Sequence, residues 1–171
     1  MIWRRRKTRA TIRRLGAGDA ALWRDLRLEA LSRHPEAFGS SHDDWAGQPL
    51  EVFAARLEAG IVLGAFRDGT LIGSTALDPD SEAPRDGRLS AVYVDPAHRG
   101  EGIARALLRA AEARARSDGF ARLVLCVAQG NEAALRFYEA EGFRIAGPEP
   151  RALTRDGQLL DVIGMVRPIR A

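Results

Sequence analysis

One stretch, RLSAVYVDPAHRGEGIARALLRAAEARA from Arg88 to Ala115, limits the folds open to this chain more than any other. Leu89 to Val94 is a short apolar run with β-branched and aromatic members, apolar on both faces as a strand inside a sheet requires. Pro96 has no N–H to give a ladder, so the strand stops at Asp95. From Gly102 onward the apolar residues Ile103, Ala106, Leu107 and Ala110 recur at the spacing of one helix face. Arg105, Arg109, Glu112 and Arg116 take the other face. The sequence therefore predicts strand, turn and helix in immediate succession.

The junction Arg99-Gly100-Glu101-Gly102-Ile103-Ala104 carries the chemistry. A helix start leaves about four N–H groups without intrahelical partners, and the aligned peptide dipoles make that end positive. Gly100, Gly102 and the small Ala104 keep side chains away from those amides, and Arg99 and Arg105 add charge beside them. Such a turn suits a phosphate or pyrophosphate. It equally suits a tight connection that holds no ligand, and the glycines alone leave both readings open. A dinucleotide fingerprint is excluded, because Arg105 stands where its third glycine belongs, and no Gly-Lys-Ser/Thr P-loop occurs.

The motif Arg99-x-x-Gly102-x-Ala104, preceded by Val92-Tyr93-Val94 and Asp95-Pro96, resembles the signature of the GCN5-related N-acetyltransferases. A second segment, Asn131-x-x-Ala134-x-x-Phe137-Tyr138-x-x-x-Gly142-Phe143, is similar to another motif of that family. The resemblance implies an α/β fold with a mixed central sheet of about six to seven strands and about four helices. It implies that amides of Gly100, Gly102, Ile103, Ala104 and Arg105 hold the pyrophosphate of acetyl-CoA. It further implies that the pantetheine pairs with the backbone of Val92, Tyr93 and Val94, near Asn131. Tyr138 would be the catalytic acid, meeting the departing CoA thiolate. A phenol of pKa about 10 against a thiol of about 8.5 makes full proton transfer uphill by roughly 2 kcal/mol, so the role is that of a hydrogen-bond donor.

The resemblance thus implies direct acetyl transfer to a primary amine in a ternary complex. A non-catalytic acyl-CoA sensor is the alternative, since the central strand lacks the glutamate that some members place there: Leu89, Ser90, Ala91 and Val92 supply none. Asp43, Asp44, Asp161 and His42 are candidates to steer or deprotonate the amine, ahead of His34 and His98.

Charge and composition narrow the partners. Residues 1–14 carry seven basic side chains and no acid, a net +7, so the remaining chain sums to −4 against a total of +3. Residues 1–7 read as a basic tail and 8–171 as a single domain. The mildly acidic body suits a cationic amine better than a polynucleotide. A nucleic-acid partner would rest on the arginine tail alone. Cys126 is the only cysteine, which excludes an internal disulfide, fits a cytoplasmic protein and reads as inert core. No secretory signal, spanning segment or metal-ligand spacing is read in the chain, and a homodimer is an open possibility of assembly.

The remaining elements follow from periodicity and punctuation. A first strand at Thr11–Leu15 leads to a helix from Ala20 to Arg33, capped by Asp19, with Leu22, Leu26, Ala30 and Leu31 inward. Residues 35–48 read as loop, and Pro49 opens a helix with Val52, Phe53 and Leu57 inward. Asp68-Gly69 joins the strands Ile61–Arg67 and Thr70–Leu77. Leu123–Val127 reads as a strand parallel to the central one, followed by a helix capped by Asn131. Phe143–Ala146 and Leu160–Arg167 complete the sheet as an antiparallel pair.

Overall fold

The computed structural model describes residues 9–148, 153–155 and 158–170. The basic stretch 1–7 lies outside them. Five α-helices and nine strands follow one another. In order they are β1 (Thr11–Arg14), α1 (Ala20–Arg33), α2 (His42–Ala46), α3 (Leu50–Ala59), β2 (Ile61–Arg67), β3 (Thr70–Pro79), β4 (Asp86–Val94), α4 (Ile103–Ser117), β5 (Arg122–Ala128), α5 (Glu132–Ala140), β6 (Arg144–Pro148), β7 (Leu153–Arg155), β8 (Gln158–Leu160) and β9 (Val162–Pro168). Seven strands form one mixed sheet in the order β1-β2-β3-β4-β5-β9-β6, and β7 pairs with β8 separately.

The parallel pair predicted at the centre of the sheet is present but short. β4 and β5 are in register only from Asp86 opposite Arg122 to Arg88 opposite Val124. Beyond Arg88 they part, and the β5-facing edge of β4 runs on without a ladder to Val94. The parting has a local cause. Ser74 of β3 faces Tyr93 while Ala76 faces Ser90, so three steps on β4 answer two on β3. The extra residue is taken up at Ala91, whose φ of 52° is left-handed. This β-bulge turns the end of β4 away from its neighbour.

Helices cover both faces. Ile103, Leu107, Leu108, Ala111 and Ala115 of α4, with Leu135 and Tyr138 of α5, join one cluster with Ile72, Leu89, Val94, Leu123 and Leu125 of the sheet. Trp23, Leu26, Ala30 and Leu31 of α1, with Phe53 and Leu57 of α3, form a second cluster that includes Tyr93. Consecutive residues of β4 therefore serve opposite faces, as a strand between two helical layers must.

Several local expectations need correcting. Leu22 and Val52 point to solvent, 44% and 39% exposed, and Trp23 takes the inward place expected of Leu22. Asp19 stands at the start of α1 but makes no cap bond. Its carboxylate instead accepts from Arg13 at 2.8 Å and from the Gly16 amide at 2.9 Å. Pro49 is the N-cap of α3, one residue outside it. The 35–48 segment holds a 3-10 turn at Pro35–Ala37 and the short helix α2. Ser41 and Asp44 form a reciprocal capping box there, a local signal that starts a helix even in a polar segment. β7 and β8 fall where a loop was expected.

Candidate functional site

The divergence of β4 and β5 opens a cleft of about 1070 Å³. Val92, Tyr93 and Val94 form one wall, and Asn131, Ala134, Phe137 and Tyr138 form the facing one. His34, Phe38 and Asp161 lie at its remaining sides. At one end it adjoins a smaller hollow of about 340 Å³ lined by Val94, Arg99, Gly100, Gly102, Ile103, Ala104 and Arg105. The residues expected to bind cofactor are thus brought to one continuous depression.

The glycine turn has the geometry of an anion site. Gly100 and Gly102 have φ of 75° and 79°, values open to glycine at no steric cost, and a Cβ added at either would meet nothing within 4 Å. The first internal helical bond runs from the Ala106 amide to the Gly102 carbonyl, 3.0 Å. Among the described residues, the amides of Gly100, Gly102, Ile103, Ala104 and Arg105 donate to nothing within the chain. They stand at the positive end of the longest helix, α4.

The arginines beside the turn do different work from the simple addition of charge. Arg99 Nε donates to the Val94 carbonyl at 3.2 Å, and Arg99 Nη2 lies 2.9 Å from His34 Nε2. It braces the end of β4 against the end of α1 while lining both hollows. Val94's carbonyl is engaged in consequence, which leaves fewer free groups on this edge for an added strand. Arg105 Nε donates to Glu141 at 2.5 Å and ties the start of α4 to the end of α5. Arg67 bonds Glu101, and its Nη1 lies 3.0 Å from His98 Nδ1, which secures the turn to the β2–β3 hairpin.

Tyr138 is 8% exposed, with its ring held edge-on by Phe137 at 5.1 Å and Phe143 at 5.6 Å. Burial pushes its phenol well above the ordinary tyrosine value. Its hydroxyl has no hydrogen-bond partner among the described residues, although the residue lines the cleft. Asn131 Oδ1 accepts from the Ala134 amide at 3.2 Å and so caps α5 from a position on the cleft wall. One side chain thus caps the helix and faces the cleft.

The acid candidates separate. Asp161 lines the cleft and is exposed. His42, Asp43 and Asp44 belong to α2 outside it: Asp44 bonds Ser41 and Asp43 pairs with His42 at 3.3 Å. His98 lines only the smaller hollow and faces Arg67. Cys126 is half-buried rather than sealed in core, with Arg88 Nη1 at 3.1 Å from its sulfur. Sequence reasoning missed Phe38, which sits in a segment read as loop, and Arg27, an arginine on a predicted helix whose surroundings no local pattern reveals. It also missed the partnership of Tyr93 with Glu29, 3.0 Å apart, which with burial lifts the Tyr93 phenol to about 12.

A model of the Acetyltransferase (GNAT) family matches residues 19–143, most of the chain and all of the cleft's β4–α5 walls. The chain belongs to the GNAT acetyltransferase family. A mycothiol acetyltransferase of Thermobispora bispora is 37% identical over 130 residues, 73% of this chain and 43% of that protein. One from Sanguibacter keddieii is 35% identical over 134 residues, 76% of this chain and 41% of that protein. The chain spans about two fifths of the length of these curated relatives. Among solved structures, a putative acetyltransferase from Salmonella typhimurium with its cofactor acetyl-CoA has a TM-score of 0.74 at 25% identity, covering 96% of each chain. A ribosomal-protein-alanine N-acetyltransferase from Brucella melitensis has a TM-score of 0.78 at 24% identity over 92% of this chain and 99% of that one, a likeness of fold. The GNAT fold expected from the motifs, with a mixed seven-stranded sheet, is the one observed. The helix count is five, one more than expected, because of α2.

Proposed function

We propose that this GNAT protein transfers the acetyl group of acetyl-CoA to a primary amine by direct attack in a ternary complex. The observation that carries the reading is the set of amides of Gly100, Gly102, Ile103, Ala104 and Arg105, without partners among the described residues, at the head of a cleft whose wall includes the Tyr138 phenol. Acetyl-CoA supplies an activated thioester. The turn amides hold its pyrophosphate, and Val92 to Val94 offer a strand edge to the pantetheine. That extended course leads toward Tyr138, whose hydroxyl donates a hydrogen bond to sulfur as the carbon–sulfur bond breaks. The neutral amine attacks the thioester carbonyl, and the proton its nitrogen sheds as the carbon–nitrogen bond forms passes through water to the departing sulfur, which leaves as the CoA thiol. Asp161, at the cleft's side, attracts the incoming ammonium.

The relatives named above are enzymes, which supports turnover over a sensor that only binds acyl-CoA. The test is release of free CoA thiol from acetyl-CoA across a panel of amines, with calorimetry of acetyl-CoA binding alongside. Amine-dependent release supports the proposal. Tight acetyl-CoA binding with no release for any amine favours the sensor, and no binding at all removes both readings. Among the described residues no helix is long and apolar enough to cross a membrane, and no His, Cys, Asp or Glu group forms a candidate metal site.

A further inference from the structure

The least explained group in the molecule is the Arg27 side chain, midway along α1. Its Nε and Nη1 atoms are buried and have no hydrogen-bond partner. The guanidinium carbon lies 5.4 Å from the centre of the Phe38 ring and 5.3 Å from that of Trp45, so it is stacked between two aromatic faces. Neither ring supplies an acceptor atom for its N–H groups. The charge felt at Arg27 is that of Arg56, another cation, already bonded to Asp78 at 2.6 Å. Burial pulls the Arg27 pKa down to about 10, which still leaves the group charged in neutral solution. Arg67 also has an orphan Nε, but Arg67 already pairs with Glu101. Among the described residues, Arg27 has no acid.

Buried donor atoms without an acceptor are costly to a fold, and natural proteins keep such groups where something else completes them. The place of Arg27 says what completes it. Phe38, on one face of its guanidinium, also lines a wedge of about 110 Å³ between β4 and β5, beside Ala91, Val92, Cys126 and Tyr138. Arg27 therefore stacks on a ring that itself lines both this wedge and the cleft. A planar guanidinium with free donors matches a carboxylate in two-point geometry.

We propose that Arg27 is the binding site for a carboxylate on the acetyl acceptor, reached when the Phe38 ring swings aside. The acceptor is then an amine that also carries a carboxylate, an amino-acid-like zwitterion. Its ammonium faces the cleft and Asp161, and its carboxylate faces Arg27. This rests on the reading of the cleft as an acetyl-transfer site and deepens it.

The test uses L-amino acids, their amides and the corresponding decarboxylated amines, with two readouts. One is CoA release. The other is tryptophan fluorescence without acetyl-CoA, since Trp45 stacks on Arg27 and senses occupancy there directly. The wild type should prefer carboxylate-bearing amines by on the order of 10²-fold in kcat/KM, an amount typical of a lost charge-assisted pair. Arg27→Met should erase that preference while leaving the decarboxylated amines within about twofold, and Arg27→Lys should retain part of it. Arg27→Met should also keep or raise the Tm, because it removes an unpaired buried charge. Equal losses for all amines in Arg27→Met, or no carboxylate preference in either readout, would overturn the assignment. Carboxylate-dependent fluorescence with no acetylation of any amine would sustain Arg27 and sink acetyl transfer instead.

Discussion

Tyr138 shows how packing sets a residue's chemistry. With the phenol pushed up by burial, the hydroxyl keeps its proton throughout any workable pH range and acts as a donor. Tyr138→Phe should lower kcat on the order of 10²-fold and leave the KM for acetyl-CoA within a few-fold. The pH–rate profile should keep its shape in the variant, because the rising limb reports loss of a proton by the amine and not by the phenol. A limb that vanished with the hydroxyl would assign the titration to Tyr138. Gly102 acts by what it lacks. Its φ of 79° and open surroundings mean that Gly102→Ala meets no clash but costs about 1–2 kcal/mol of backbone strain, measurable by denaturant unfolding. Gly102→Glu adds a carboxylate among the amides proposed to hold the pyrophosphate, and acetyl-CoA affinity should fall at least tenfold by calorimetry.

At the scale of elements, the site depends on where helices begin and one strand bends. α4 delivers its free amides because Asp95-Pro96 ends β4 and two left-handed glycines complete the turn. α5 begins on Asn131, whose side chain both caps the helix and lines the cleft. Asn131→Ala should cost about 1 kcal/mol in stability, whereas Asn131→Asp should keep the cap and alter acetyl-CoA binding alone. That split, read by thermal unfolding against calorimetry, separates the two roles. The link from β1 to α1 has its own signature. Arg13 holds the Asp19 carboxyl below its usual pKa. The stabilisation is present above the unfolded value of about 3.9 and is lost as pH falls through the lower, folded one. Asp19→Asn should therefore cost less than about 1 kcal/mol at neutral pH, as the pair is partly exposed, and should flatten the acid limb of the stability curve.

At the scale of the molecule, acetyl-CoA binding should stabilise the fold by about 2.7 kcal/mol at a concentration 100 times Kd. For a domain of this size that raises Tm by roughly 5–10 °C in a thermal-shift assay, and the weaker binding of Gly102→Glu should cut the rise by about half or more. Much of this architecture is legible in the residues. Leu89–Val94, Pro96 and the α4 face announce strand, stop and helix because burial in a layered fold imposes periodicity, and the glycines announce the turn. The Asp68-Gly69 turn and the cap at Asn131 are equally local, whereas the cap at Ser41 went unread in a segment taken as loop. Leu22 and Val52 were misplaced because apolar spacing gives a helix face only to within a residue or so, and Trp23 and Phe53 claimed the core. The meeting of His34 and Phe38 with Asp161 at the cleft was not legible, because it brings together segments far apart in sequence. Local chemistry alone thus determined the helix start and its bare amides, since both are consequences of neighbouring residues. Only the tertiary structure decided that β4 and β5 part after Arg88, that the Tyr138 ring is buried against the cleft, and that Arg27 has no acid partner among the described residues. Separation, burial and charge pairing are properties of distance in space, which no single stretch of chain encodes.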